Sequence, residues 1–433
     1  MRTVKKYPFS LTEDSKNRLL QWSQQFQEVV WLDSNNYSQL HETYQAILAV
    51  DAFTALKTDS KDAFNKLKEY QATTADWIFG YLSYDLKNDV EKLHSSNCDG
   101  LDFPELYFFQ PKKLFLFSEN NVEVHYLNMV ADEMDEDFNA ISEIVPQPEE
   151  SEIPKAINIS IRTSKESYLQ KVGEVLEHIK RGDIYEVNIC QEFYSEDVEI
   201  HPLETFFQLN KISKPPFSVF LKLNEIFALS ASPERYLKRT GNTVISQPIK
   251  GTAKRLKNNA EDLKMAQQLA NDPKERSENI MITDLVRNDL SRIAEKGSVF
   301  VEELCTIYTF EQVHQMISTV TCSVAQNISS VEVLRNTFPM GSMTGAPKIS
   351  AMQIIEDTED AKRGLYSGAI GYFSPSGDFD FNVVIRSILY NSSKKYVSFS
   401  VGSAITINSL PEKEYEECLL KAKAMREVLN NTL

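Results

Sequence analysis

Residues 244–255, Val-Ile-Ser-Gln-Pro-Ile-Lys-Gly-Thr-Ala-Lys-Arg, constrain the fold more than any other stretch. The start is β-branched and strand-like. Pro248 and Gly251 then interrupt the strand on either side of Lys250. A lysine held between a proline and a glycine is expected at the lip of a sheet, with little side-chain bulk around it. A lone lysine at a strand end is ordinarily a solvated charge. Several other segments bear on Lys250. Ala231-Ser232-Pro233-Glu234-Arg235 lies upstream. Glu275-Arg276-Ser277-Glu278, Gly345-Ala346-Pro347-Lys348, Arg386, and Glu414 with Glu417 lie downstream.

Around this stretch, strand-like runs alternate with helices and hairpins, which points to an α+β architecture. Trp77–Tyr84 reads as a buried strand interrupted by Gly80. Leu114–Phe117 and Val122–Tyr126 read as a hairpin around Asn120-Asn121. Residues 146–156 hold three prolines and three glutamates and are the best linker candidate, between an N-terminal region (1–145) and a second domain (157–433). Thr163-x-x-Glu166 predicts a capping box for a helix ended by Gly182. Ile184–Phe193 alternates as a strand. Phe217–Leu221 and Ile226–Ser230 form a strand pair around Asn224-Glu225. Asn259–Ala270 is predicted helical, and Asp272-Pro273 starts a longer helix. The bend at 338–347 opens another helix. Two strands flank Asn391-Ser392-Ser393, and Ser409-x-x-Glu412 is expected to cap the last helix. The chain shows no internal repeat of fixed period.

The chain has 433 residues, enough for two ordinary domains or one large one. It contains no run of about 18 apolar residues, so no membrane span is expected. The N-terminus lacks the apolar core of a secretory signal. Cys98, Cys190, Cys305, Cys322 and Cys418 are isolated and odd in number. Reduced thiols in a cytoplasmic protein are expected, with no disulfide framework or zinc site. A net charge of −16 argues against nucleic acid as a partner.

Glu275 and Glu278 are three residues apart, as are Glu414 and Glu417, so each pair shares a helical face. Near helix starts, such pairs can simply complement the macrodipole. Four carboxylates from two helices also suit a hard cation such as Mg²⁺. Arg386, after the apolar run 381–385, requires a partner: an internal salt bridge or a carboxylate ligand. Glu234 follows Pro233, and an ion pair to Arg235 or Lys238 is its alternative role.

In order and spacing these segments resemble the chorismate-utilising enzymes, most strongly over about 160–428. The anthranilate branch carries alanine before Gly-Thr, whereas the aminodeoxychorismate branch carries lysine, as at Lys250. The resemblance implies two facing, largely antiparallel sheets with helices outside. It implies Mg²⁺ bound by Glu278 and Glu417, with Glu275 and Glu414 near or acting through water. Lys250 would be the nucleophile and Glu234 the acid or base at a substrate hydroxyl. Ser342, Tyr366, Arg386, Lys421 and the backbone of Gly402, Ser403 and Ala404 would bind chorismate. Because chorismate is a dicarboxylate and the chain is acidic, cations must gather locally: Lys250, Lys348, Arg386 and Lys421 are candidates. Desolvation or neighbouring cations, with Mg²⁺, Arg386 and Lys421 expected, would lower the pKa of Lys250. Ammonia would come from a separate glutamine amidotransferase subunit, because no Cys-His-Glu glutaminase module is visible.

Three departures stand out. Gln315 occupies the family's histidine position, with His314 expected on the opposite strand face. Trp31-Leu32-Asp33-Ser34 replaces the Leu-Leu-Glu-Ser segment of tryptophan-regulated relatives. Glu186 stands where relatives often have glutamine. Anthranilate synthase, isochorismate synthase and a non-catalytic chorismate-binding subunit are the alternative assignments.

Overall fold

The structure is a computed structural model describing residues 1–37, 41, 43–145 and 157–430. The expected linker, 146–156, lies outside the described residues. Helices pack on a large sheet network whose ladders are antiparallel throughout. Two arms meet at the long Leu106–Ser118 strand. One runs through Ala46–Thr58, Glu28–Asp33, Phe217–Leu223, Ile226–Ser232, Ser387–Asn391 and Tyr396–Thr406 to Glu186–Ser195. The other leaves through Ile78–Leu82, Ala369–Phe373, Phe379–Asn382, Arg235–Thr240 and Thr243–Gln247 to Val313–Ser323. Strand pairing thus makes one connected network from what the resemblance implied as two sheets.

Burial follows the strand period. In Glu28–Asp33, Val30 enters one apolar cluster while Val29 and Trp31 enter another. Leu221 and Phe220 divide in the same way. Both faces of this arm are covered, which explains near-continuous apolar runs in place of polar alternation. Phe79, Phe108, Phe373 and Phe381 of the second arm join the cluster containing Val30 and Leu221.

The hairpin turns at 120 and 224 lie where expected, with Asn120 and Asn224 at positive φ. Gly182 ends its helix at φ 84°. Two helix starts differ from expectation. The Lys165–Arg181 helix is capped by Ser164, whose hydroxyl accepts from Ser167 N–H. The Thr163 hydroxyl instead donates to Asp360 at 2.7 Å. The last helix, Pro411–Leu429, has Leu410 at its N-cap. The Ser409 hydroxyl accepts from Thr406 N–H at 3.1 Å. In both cases a competing partner took the capping hydroxyl.

Asp33, in the segment that departs from tryptophan-regulated relatives, pairs with buried Lys16 at 2.8 Å. It borders a cavity of about 80 Å³. Among the described residues, no helix is long and apolar enough to cross a membrane.

Candidate active site

The helix Pro273–Ser291 begins with Asp272, whose carboxylate accepts from the N–H groups of Lys274 and Glu275 at 2.9 and 3.0 Å. Capping fixes Glu275 and Glu278 in its opening turns. The helix Pro411–Leu429 carries Glu414, Glu417 and Lys421 on successive turns of one face. Between the two helices the Ile249–Lys254 strand presents Lys250. The Asn279 amide donates to Met316 O at 3.1 Å and to Lys250 O at 3.4 Å, tying the first helix to the lysine's backbone. Gly251 adopts φ +92°, and a Cβ there would stand 3.1 Å from Glu275 Oε2. A residue free of Cβ strain and bulk is therefore required beside Lys250.

These elements enclose a cleft of about 690 Å³. Glu234, Lys250, Ser342, Tyr366, Arg386, Gly402, Ala404, Lys421 and all four helix glutamates (Glu275, Glu278, Glu414, Glu417) line it, so nearly the whole sequence-derived set converges. Ser403 is one exception: it is buried, and its hydroxyl donates to Glu414. Gly402 is needed for close approach, because a Cβ would stand 2.6 Å from Asn188 Oδ1 and 2.8 Å from Cys190 Sγ.

Glu234 is 5 % exposed and accepts from Ser342 Oγ at 2.6 Å. Burial pushes its carboxyl up to about 7, against the Ser342 hydrogen bond and the Lys250 charge. The alternative ion pairs are not formed: Arg235 engages Asp380 at 2.9 Å, and Lys238 lies 3.7 Å from the same residue. Burial also pushes Glu278 up to about 7, with Glu275 and Glu186 adding to the effect and Lys250 and Lys274 opposing it. Burial raises Glu275 as well. In Glu417, burial is outweighed by Lys421, 2.7 Å away, and the carboxyl falls below its ordinary value. Lys421 also donates to Gly402 O at 2.8 Å.

Lys250 corrects the expectation of cationic neighbours. Its Nζ lies 3.3 Å from Glu186 Oε1. Burial pulls its pKa down, but Glu186, Glu278 and Glu234 outweigh burial and leave it raised. The Lys348 assignment is also corrected. Its buried ammonium bonds Asp289 at 2.5 Å and the carbonyls of Thr337 and Pro339 at 3.0 and 2.8 Å, away from the cleft. Arg386 lies between the Phe379–Asn382 and Ser387–Asn391 strands, at φ 53°. Among the described residues its guanidinium forms no hydrogen bond or ion pair, so the alternative of an internal salt bridge is not realised. Burial pulls its pKa below the ordinary value. A cation in that state is poised for an anion.

Gln315 lines the cleft, and its Oε1 is buried without a partner. His314 points the other way, with Nε2 2.9 Å from Asp262, as strand alternation requires. Lys254 and Lys274 line the cleft outside the sequence-derived set, and Glu186 reaches Lys250 from beyond the cleft lining. Lys274 is 3.7 Å from Glu278. Glutamate in place of the relatives' glutamine at 186 was the available signal for Glu186.

The four helix glutamates offer hard oxygen donors on one wall. Among the described residues, no three carboxylate, imidazole or thiol groups converge as a preformed metal cluster. The donor set still fits Mg²⁺, which keeps several waters and needs only one or two direct carboxylates.

The family description "chorismate binding enzyme" matches residues 10–427. The chain belongs to the chorismate-binding enzyme family. Within that family it is 32 % identical to anthranilate synthase component 1 of Thermus thermophilus over 80 % of this chain and 76 % of that protein. It is 40 % identical to aminodeoxychorismate synthase component 1 of Escherichia coli, over 59 % of this chain and 55 % of that one. A crystal structure of anthranilate synthase component I from Streptococcus pneumoniae superposes with a TM-score of 0.76. It is 24 % identical and covers 90 % of this chain and 95 % of that one, a likeness of fold.

Proposed function

We propose that this family member is an aminodeoxychorismate synthase component I. It would convert chorismate and ammonia to 4-amino-4-deoxychorismate, for p-aminobenzoate and folate synthesis in the cytoplasm. A separate glutamine amidotransferase subunit would supply the ammonia. The observation that carries this reading is Lys250 Nζ inside the cleft, where Glu234 also lies. Gln315 in place of the family's histidine supports it, because the histidine is associated with pyruvate elimination in anthranilate formation.

Arg386, with Tyr366 in the same cleft, would hold the enolpyruvyl carboxylate. Glu278 and Glu417, assisted by Glu275 and Glu414, would hold Mg²⁺. The bound ion would neutralise and orient the ring carboxylate. Lys250, as free amine, attacks C2. The ring double bonds shift, and the C4 hydroxyl leaves as water with the Glu234 proton. Ammonia then adds at C4, and the lysine departs with the C2–N electron pair. The product ammonium can return a proton to Glu234. The similarity to anthranilate synthases keeps anthranilate as the competing product.

Purified protein incubated with chorismate, Mg²⁺ and ammonium should yield aminodeoxychorismate by mass spectrometry, with essentially no anthranilate. Anthranilate as the main product would overturn the assignment. Glutamine alone should fail until a glutaminase subunit is added.

Glu278→Gln or Glu417→Gln should lower turnover about 10–100-fold, by analogy with weakened metal-site support, and excess Mg²⁺ should recover part of it. Wild-type activity indifferent to a chelator would remove the metal from this mechanism.

A further inference from the structure

Glu186 has no role in the mechanism above, yet among the described residues it is the charged group in ion-pair contact with Lys250. Its Oε1 is 3.3 Å from Lys250 Nζ, and its side chain is 2 % exposed. Its second oxygen, Oε2, is buried and has no hydrogen-bond partner. The backbone is clamped on both sides: Glu186 pairs with Ala346 in one ladder and with Thr406 in another. A carboxylate in this position is within reach of the amine's proton.

We propose that Glu186 is the proton acceptor that frees the Lys250 amine for attack. This inference rests on the proposed lysine chemistry and adds the group that makes it possible. The step balances within the pair. Lys250 ammonium gives one proton to a Glu186 carboxylate oxygen, leaving a neutral amine and a neutral carboxylic acid. The amine lone pair forms the C2–N bond. When ammonia later expels the lysine, the departing amine takes the proton back from Glu186, and the ion pair is restored.

The driving force is desolvation. The Lys250 side chain is 15 % exposed in the open cleft. A bound ring covers that exposure, and a buried charged pair then gives way more readily to its neutral form. Glu278 and Glu234, with Glu275 and Glu417 beyond them, also face Lys250 and favour its charged form. Glu234 is held by Ser342 and serves as the acid at C4, while Glu278 belongs to the metal wall. Among the described residues, Glu186 alone forms an ion-pair contact with Nζ.

The test measures Lys250 adduct formation by intact mass, with chorismate and Mg²⁺ but no ammonia, between pH 5 and about 6, below the limb set by Glu234 at about 7. Transfer inside the pair consumes no solvent proton, so the wild-type rate should be flat over this range. Glu186→Gln should bind chorismate as wild type does, but its rate should rise about tenfold per pH unit, because solvent must then deprotonate the lysine. At pH 5.5 its deficit should be about 10²-fold. Should Glu186→Gln fail to fold, Glu186→Asp withdraws the oxygen by one methylene and should show the same slope with a smaller deficit. A variant profile parallel to wild type overturns the role of Glu186 and leaves the lysine nucleophile standing. A wild type that aminates chorismate without forming any adduct overturns both.

Discussion

Lys250→Arg should abolish the covalent adduct and lower amination on the order of 10⁴-fold, the scale of losing a nucleophile. Arginine keeps the positive charge and can still pair with Glu186, but it does not deprotonate in proteins. Chorismate binding and thermal stability should therefore change little. Intact-mass analysis and a binding titration separate the two effects. Normal turnover by Lys250→Arg would reduce Lys250 to a binding residue. Lys250→Ala is a different experiment, because it strands the buried Glu186 carboxylate. Removing one partner of a buried pair costs about 3–5 kcal/mol, an upper bound for a lysine still partly open to the cleft. Adding Glu186→Gln to Lys250→Ala should restore much of that stability. Any residual activity by direct ammonia attack should therefore be clearer in the double variant than in Lys250→Ala alone.

Glu234→Gln should lower turnover about 10²–10⁴-fold, the range for losing a general acid. The direction of the pH dependence follows from the raised carboxyl. Glu234 is set at about 7 by burial, so its acid form is present below that pH and lost above it. Wild-type kcat should fall as pH rises through about 7. The glutamine variant should lack this limb, because its amide does not titrate. The limb should also move downward in Ser342→Ala only if the lost hydrogen bond had stabilised the neutral acid. Ser342 Oγ donates to Glu234 Oε1 and so favours the carboxylate, and its removal should move the limb upward. A pH profile that is unchanged in Glu234→Gln would assign the limb to another group, with Glu278, also at about 7, next in line.

Much of this site was legible in the sequence because its chemistry is carried by local patterns. Glu275 with Glu278, and Glu414 with Glu417, share helix faces by spacing alone. Pro248 and Gly251 mark the irregular strand that presents Lys250, and strand alternation places Gln315 and His314 on opposite sides. Asp272-Pro273 sets the start of the helix that carries Glu275 and Glu278. These features depend on neighbours within a few residues, and local periodicity governs them.

What only the tertiary structure decided is which charges meet. Lys348 resembles a substrate-binding cation in sequence, yet Asp289 and two carbonyls claim it inside the protein. Glu234 could have paired with Arg235, but Asp380 takes that arginine from the neighbouring strand. Lys250 was expected among cations and lies among carboxylates, because the Glu186–Ser195 strand brings Glu186 to it from 64 positions away in the chain. Even the two capping hydroxyls, Thr163 and Ser409, were diverted by competing partners. Spacing fixes the face on which a charge sits. Its protonation depends on desolvation and on the charges a few ångströms away, and long-range strand pairing brings those together.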